Sequence, residues 1–312
     1  MTASFAHKGR LTMVEDTGTP SDWSGGKTLE FQNCTLAKHG RHIHPDGIRG
    51  SRSASITRNR QGTYSVFGSI TVNPTPNELD LFLKLMMGAG SNPNYTLADD
   101  VPYFAVMLDT EEDIFLFTRC KIDRAVLRAS AARLNEQSNP DLLSLEMRII
   151  GSTFASGQTW PGTAPTIASG NVSSEPFILS DGVFTVETAA REVSSFAFVI
   201  DNGLKARFVN STTATDVCPR RTRFIGARLR HPWDSSHSNL LEMDESETGN
   251  QATFVFTNGA VSTTLTMEEL TAPNRTSPLI ANKGEIFLDR EYRAYADAAG
   301  NAELTATNDS TA

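Results

Sequence analysis

The sequence contains one pattern twice. Residues 63–74 read TYSVFGSITVNP and residues 222–232 read TRFIGARLRHP. In both stretches an apolar residue and a glycine are followed, after a gap of five residues, by a proline, which is Pro74 in the first and Pro232 in the second. A helix-like segment follows each proline, and an apolar hairpin follows that segment. Self-similarity in this order is typical of a duplicated unit, so the chain is predicted to contain one β-rich fold twice.

The length of 312 residues accommodates two domains that each bury a core. Stretches rich in Gly, Pro, Ser and Thr mark the limits of these domains, because such residues favour turns and linkers over packed elements. We predict an N-terminal arm at 1–26, a first domain at 27–152, a linker at 153–176, a second domain at 177–297 and a flexible C-terminal tail at 298–312.

The first domain is predicted to consist of strands and one short helix. The segment after Pro74 has Thr75 as a candidate N-cap and Glu78 three residues later, which is the pattern of a capping box. The last strand alternates between apolar and polar residues, as expected where one sheet face is buried. The predicted strands are Thr28–Leu36, Thr63–Val72, Tyr103–Leu108, Ile114–Ile122 and Leu142–Ile150.

The second domain repeats this order. A helix-like segment is predicted at Ser235–Met243, and Asn258-Gly259 is a strong tight-turn signal between two strands. The predicted strands are Arg191–Ile200, Thr222–Arg230, Thr253–Thr257, Val261–Met267 and Gly284–Tyr295. The fold class is therefore mainly β, with two tandem β-sandwich or half-barrel domains that are each flanked by one short α-helix.

The overall charge and the apolar runs exclude several classes of protein. The net charge of −8 argues against a general nucleic-acid binder, which carries a broad basic face, whereas an acidic wall repels phosphate. No apolar run approaches the roughly 20 residues that span a bilayer, and the N-terminus lacks the apolar core of a signal peptide. Cys34, Cys120 and Cys218 are scattered and lack metal-site spacing, so we expect reduced thiols.

The sequence contains no convincing catalytic or metal-binding motif. His39, His42 and His44 form the best candidate for a metal site, but their spacing fits neither a helical pair nor a zinc finger, so a solvated loop is favoured. There is no nucleophile elbow and no phosphate-binding glycine loop. We therefore expect no enzymatic activity and no cofactor. A β-rich hydrolase with acids converging in one cleft stays open as an alternative.

The segment from Lys38 to Arg60 is basic within an acidic protein. One interpretation is a solvated loop. A second is a docking arm that reaches an acidic patch on a neighbouring subunit, and direct DNA binding is a third. The charged residues of this segment are Lys38, Arg41, Asp46, Arg49, Arg52, Arg58 and Arg60. The candidate acidic partners are Asp109, Glu111, Glu112 and Asp113 in one turn and Glu242, Asp244, Glu245 and Glu247 in a later run.

Three stretches resemble the two-domain tail tube proteins of long-tailed bacteriophages. They are DGIRGSRSAS at 46–55, GSITVNPTPNELDLFL at 68–83 and IDNGLKARFVNSTTATD at 200–216. The resemblance extends from about Lys27 to Tyr295. It implies tail-tube-type domains in a structural virion protein, assembled in the host cytoplasm, in which six domains form a ring and stacked rings form the conduit for DNA ejection. A trimer of two-domain chains supplies six domains.

The resemblance also implies partners and a location for the polar sheet face. The partners are other copies of the chain, the tape measure protein in the lumen, the tail terminator and the distal tail protein, with transient passage of phage DNA and no membrane. A loop between early strands commonly bridges to the adjacent ring in this family, and Lys38–Arg60 occupies that place. We expect the lumen to be lined by Ser144, Glu146, Glu285, Asp289 and Glu291. The alternative is another β-rich virion component, such as a decoration, spike or receptor-binding protein.

Overall fold

The computed structural model describes residues 9–16, 18–21, 23, 25–43, 56, 59–131, 140–160, 175–233, 240, 250–272, 286–296, 300 and 302–310. The strands of the first half are β1 Arg10–Glu15, β2 Lys27–Leu29, β3 Phe31–Cys34, β4 Ala37–Ile43, β5 Arg60–Val72, β6 Gly88–Ser91, β7 Asn94–Leu97, β8 Phe104–Asp109, β9 Ile114–Ser130, β10 Ser144–Gly151 and β11 Thr153–Ala155. The strands of the second half are β12 Gly182–Val186, β13 Ala189–Arg191, β14 Ser195–Asp201, β15 Leu204–Arg207, β16 Asp216–Pro219, β17 Phe224–Pro232, β18 Asn250–Asn258, β19 Val261–Thr271, β20 Phe287–Tyr295 and β21 Leu304–Asp309. A helix, α1, spans Pro76–Met87, and a 3-10 turn spans Leu179–Asp181. The predicted mainly β class is confirmed.

Helix α1 begins where the sequence predicts. Pro76 occupies its first turn, and the Glu78 carboxylate accepts a hydrogen bond of 2.9 Å from the backbone N–H of Thr75. This contact satisfies one of the free donors at the helix start. The helix ends at Gly88, whose φ of 103° is the left-handed conformation that glycine adopts at low cost.

The strands of the two repeats form one row in a single sheet. In the first repeat β5 pairs with β3 and β4 on one side and with β10 on the other, and β10 pairs with β9. In the second repeat β17 pairs with β14 and β20, and β20 pairs with β19. The same order of pairing therefore occurs twice, and the antiparallel pairing of β9 with β14 joins the two copies edge to edge. Within one chain this sheet stays open.

One face of this row is the core. Leu145, Met147 and Ile149 of β10 are fully buried, which confirms the predicted alternation of the closing strand. Helix α1 packs against this face with Phe82 and Leu85, which are also fully buried. Alternate side chains therefore point to the opposite face, which carries the polar residues.

The structure corrects the predictions for both ends of the chain. Strand β1 lies within the expected arm, yet it pairs with β2 and β8, and its Leu11 and Met13 are fully buried. Strand β21 lies within the expected flexible tail, yet it pairs with β19 of the second repeat and β7 of the first. Both segments are short and polar at their borders, so their apolar positions give a weak sequence signal. The exact domain limits stay a prediction.

Two further predicted segments are only partly described. The expected linker begins with β11, which pairs with β9, and its residues 161–174 lie outside the described part of the chain. The predicted helix at 235–243 also lies outside it, apart from Leu240, which is buried. Among the residues that are described, no helix has the length and apolar character needed to cross a membrane.

Candidate functional surface

The second face of the row is a continuous polar surface that both repeats share, called here the polar face. Directly paired residues of neighbouring strands lie on the same side of a sheet, and the pairing carries this face across β10, β9, β14, β17 and β20. Its exposed and half-exposed members are Ser144, Glu146 and Arg148 on β10, Arg124, Val126, Arg128 and Ser130 on β9, Ser195, Ala197 and Val199 on β14, Arg228 and Arg230 on β17, and Asp289, Glu291 and Arg293 on β20.

The polar face contains four of the five residues expected at the lumen. Ser144 and Glu146 lie on β10, and Asp289 and Glu291 lie on β20, at the other side of the face. All four are at least partly exposed. Glu285 lies outside the described residues. The structure therefore brings these residues onto one surface, and their position in a lumen stays a proposal.

Arginines outnumber acids on the described part of this face, six to three. Two of the arginines face acids of the adjacent strand at long range, with 3.6 Å from Arg128 to Glu146 and 3.9 Å from Arg228 to Asp289. This arginine set was not predicted from the sequence, although Arg228 and Arg230, as alternate residues of one strand, were a usable signal. The face is consequently cationic, in contrast to the acidic chain as a whole.

Two further arginines of the polar face, Arg148 and Arg230, are held by neighbours. The Arg148 guanidinium donates from Nε to the buried Asp123 carboxylate at 2.7 Å. The Arg230 guanidinium lies over the Phe287 ring at 4.2 Å from its centroid, which is a cation–π arrangement. These contacts fix the direction of the two guanidinium groups.

The basic arm is described only at its base. Lys38 and Arg41 lie on β4 and Arg60 begins β5, and all three are exposed at the free edge of the sheet. The Lys38 ammonium lies over the Tyr64 ring at 4.1 Å. Asp46, Arg49, Arg52 and Arg58 lie outside the described residues. The paired strands β4 and β5 therefore flank, in the sequence, the residues that carry the rest of the arm.

The first acidic patch is a tight turn between β8 and β9. Its backbone closes by a 3.0 Å bond from Thr110 N–H to Asp113 C=O. Asp109 accepts bonds from the backbone of Glu111 at 2.8 Å and from the Trp160 indole at 3.1 Å, so part of this patch has a structural role. Glu111 and Glu112 are exposed. The second patch, Glu242, Asp244, Glu245 and Glu247, lies outside the described residues.

The histidines and cysteines do not converge. His39 and His42 are exposed on β4, and His44 lies outside the described residues. Within the described part of the chain, no group of three or more His, Cys, Asp or Glu side chains is arranged to hold a metal. Cys34, Cys120 and Cys218 are free thiols, and burial raises the pKa of the Cys120 thiol, which makes a reactive role unfavourable there.

Charged and polar groups are also buried in the core of the second repeat. Arg290, His231 and Tyr292 are fully buried beneath the sheet, and the His231 Nδ1 lies 3.1 Å from the Glu192 carbonyl oxygen. Burial raises the pKa of Tyr292, and the nearby Arg290 and Arg191 oppose this effect. Arg290 is therefore a buried cation on the inner face of β20.

Comparison with known proteins agrees with this architecture. A search of curated proteins finds no match. The family described as phage tail tube protein matches residues 13–294, a span that includes β10, β9, β14, β17 and all but the last residue of β20, and therefore every named residue of the polar face. Since this match covers most of the 312 residues, the chain belongs to the phage tail tube protein family.

Proposed function

We propose that three copies of the chain form a ring of six repeat units, and that stacked rings form the tube through which phage DNA is ejected into the host. Family membership implies a structural component of the virion tail that assembles with itself and with other tail proteins. The tape measure protein, tail terminator and distal tail protein are the proposed partners, and assembly takes place in the host cytoplasm. The proposal includes no catalytic step and no cofactor.

The observation that carries this proposal is the pairing of β9 with β14. Seven residue pairs join the end of the first repeat to the opening strand of the second, and the polar face continues across the junction. Among the described residues, β3 and β4 at one end of the row pair with β5 alone. At the other end, the last residues of β19 pair with β20, and Leu270 also pairs with Asn250 of β18. In the order of the row, β3 and β4 hold the place in the first repeat that β14 holds in the second. Strand β19 holds the place in the second repeat that β9 holds in the first. The same junction repeated between chains closes the sheet and removes its exposed edges.

A closed ring of this kind places the polar face on the lumen. The opposite face is already covered by α1 and the surrounding strands, so only the polar face is left to meet solvent in the channel. The proposed lumen residues are Ser144, Glu146, Glu285, Asp289 and Glu291, together with the arginines of the same face. Glu146 beside Arg128 and Asp289 beside Arg228 offset part of the positive charge of this face.

Electron microscopy of the purified protein tests the assembly. We expect stacked rings with an open channel, threefold symmetry and the polar face on the inner wall. Compact monomers, or a discrete oligomer with the polar face outside, would contradict the proposal and favour a decoration, spike or receptor-binding component. Six chains per ring would contradict the proposed trimer.

The basic arm is proposed to bridge adjacent rings by meeting the acidic patches. Arg49→Glu combined with Arg52→Glu is expected to abolish stacking, because like charges then face each other. Arg220→Glu is the matched control, since Arg220 is exposed and lies outside the arm. Polymerisation of the double variant at the wild-type rate would rule out this role.

A further inference from the structure

A trough runs along β14 on the polar face. Ala197 is paired with Arg128 of β9 on one side and with Arg228 of β17 on the other. Since neighbouring strands lie about 4.8 Å apart, the two arginines flank a channel roughly 10 Å across. The concavity at this position has a volume of about 640 Å³. The fold thus builds a groove with two cationic rims.

The floor and ends of the trough are small and polar. Ser130, Ser144 and Ser195 provide hydroxyl groups along the floor, and Ala197 leaves the centre open. The amides of Gln32 and Asn73, which are hydrogen-bonded to each other, line one end. Such a surface accepts a narrow extended chain and offers hydrogen bonds to its backbone.

The two rim arginines are available for a ligand. The side chains of Arg128 and Arg228 are 57% and 66% exposed, and their contacts with Glu146 and Asp289, at 3.6 and 3.9 Å, are longer than hydrogen bonds. An exposed ion pair of this length contributes little stability. A guanidinium therefore exchanges such a contact readily for a two-point bond to another carboxylate.

We propose that the trough binds an extended acidic segment of another polypeptide. This inference rests on the proposed function for its location, since a trough on the lumen wall meets a protein that fills the channel. The arginines pair with carboxylates of the segment, and the serines and the two amides meet its backbone. The binding site is repeated with every chain of the tube, so an elongated partner gains affinity from many weak contacts.

The described residues favour an acidic polypeptide over nucleic acid. Single-strand binding surfaces rely on exposed aromatic rings on which bases stack. The only aromatic residue among those lining this trough is Phe196, which is 1% exposed. A duplex is too wide to enter a groove of two strand spacings.

Fluorescence anisotropy with a labelled peptide of alternating glutamate and serine tests the proposal on the whole protein at low salt. We expect saturable binding that weakens as salt rises. Arg128→Gln combined with Arg228→Gln is expected to weaken binding about tenfold, because two charge-assisted contacts are lost. Arg220→Gln, an exposed arginine outside the trough, is the matched control and should bind as the wild type does.

A second variant keeps the arginines and blocks the floor. Ala197→Glu places a carboxylate between Arg128 and Arg228, so it should weaken peptide binding to a similar extent. Circular dichroism and the unfolding temperature establish that each variant is folded. Unchanged binding in a folded variant of either kind overturns the proposal, as does equal binding of a glutamine–serine peptide.

Two measurements separate this proposal from its alternatives. Tighter binding of single-stranded or duplex DNA than of the peptide, lost in the arginine variant, overturns the assignment in favour of nucleic acid. Microscopy of the same samples reports assembly independently. Tubes that form without binding the peptide overturn the trough proposal and leave the proposed function standing, whereas peptide binding without tubes supports the trough and contradicts the proposed function.

Discussion

The side-chain amide of Asn308 donates a 2.6 Å hydrogen bond to the carboxylate of Asp80, although 228 residues separate them. Asp80 lies on α1 of the first repeat, and Asn308 is a fully buried residue of β21, the last strand. The same carboxylate accepts bonds from the Tyr95 hydroxyl at 2.9 Å and the Ser310 hydroxyl at 2.6 Å. The C-terminal strand is thereby fastened to the helix of the first repeat.

Asp80→Ala is expected to destabilise the chain by about 3 kcal/mol, because a buried amide and a buried hydroxyl lose a charged acceptor. The unfolding temperature should fall by several degrees, and Asp80→Asn, which keeps one acceptor oxygen, should cost less. Glu112→Ala removes an exposed acid and serves as the control. Equal unfolding temperatures for Asp80→Ala and Glu112→Ala would show that the carboxylate does not hold β21.

Truncation after residue 302 is expected to prevent stable folding and tube assembly. It removes β21, in which Leu304, Ala306 and Asn308 are buried between β19 and β7. The free edges of both strands and the apolar surface beneath them then meet solvent. Truncation after Ser310 leaves the strand intact and should behave as the wild type does. Soluble expression, circular dichroism and microscopy of both truncated chains decide the matter.

The sequence predicted the elements whose signals are local. Thr75, Pro76 and Glu78 set the start of α1 through capping chemistry, and Asn258-Gly259 set a hairpin through the left-handed conformation of Gly259, whose φ is 62°. The alternation of β10 also predicted which side chains are buried. Each of these signals lies within a few residues of the feature that it specifies.

The remaining features depend on contacts between distant segments. Strand β21 is stabilised by Asp80 and by pairing with β7, and neither is visible from a short polar stretch near the C-terminus. The arginine trough likewise arises because β14 lies between β9 and β17, which the sequence does not reveal. Arg290 occupies a buried position of β20, and the sequence does not reveal the other strands that form its environment.

Glu78→Gln is expected to raise the unfolding temperature at neutral pH. Burial raises the pKa of Glu78, which is 2% exposed, and its bonds to Thr75 only partly offset this effect. The pKa of Glu78 in the folded protein lies above its ordinary value of 4.5, so the protonated carboxyl stabilises the fold fully at a pH below 4.5. This contribution is lost as the pH rises through the folded pKa. The glutamine oxygen still accepts the Thr75 N–H bond without a buried charge.

The stability difference between Glu78→Gln and the wild type should therefore grow from pH 4 to pH 7.5, as measured by thermal unfolding. Glu78→Ala also removes the charge, but it leaves the Thr75 N–H without this partner and should cost about 1 kcal/mol at both pH values relative to Glu78→Gln. A difference that shrinks as pH rises would contradict the assigned direction of the pKa.

Gly68→Ala is expected to be the more damaging of the two substitutions at the repeated glycines. A Cβ at position 68 would lie 2.5 Å from the carbonyl oxygen of Thr35 and 2.7 Å from the Cα of Leu36, so it meets backbone that cannot move without disturbing the join between β3 and β4. Thr35 is held there by a 2.8 Å bond from its N–H to the carbonyl of Ser69.

Gly226→Ala meets a different environment, with the Tyr292 carbonyl at 2.8 Å and the Phe224 ring at 2.9 Å. Rotation of the ring relieves part of this crowding. Both substitutions should destabilise the fold by about 1–3 kcal/mol, with Gly68→Ala at the upper end. Gly25→Ala is the control, because a Cβ there has no described atom within 4 Å. Thermal unfolding of the three variants in parallel measures the order, and a reversed order would mean that the backbone at Leu36 yields more easily than the Phe224 ring.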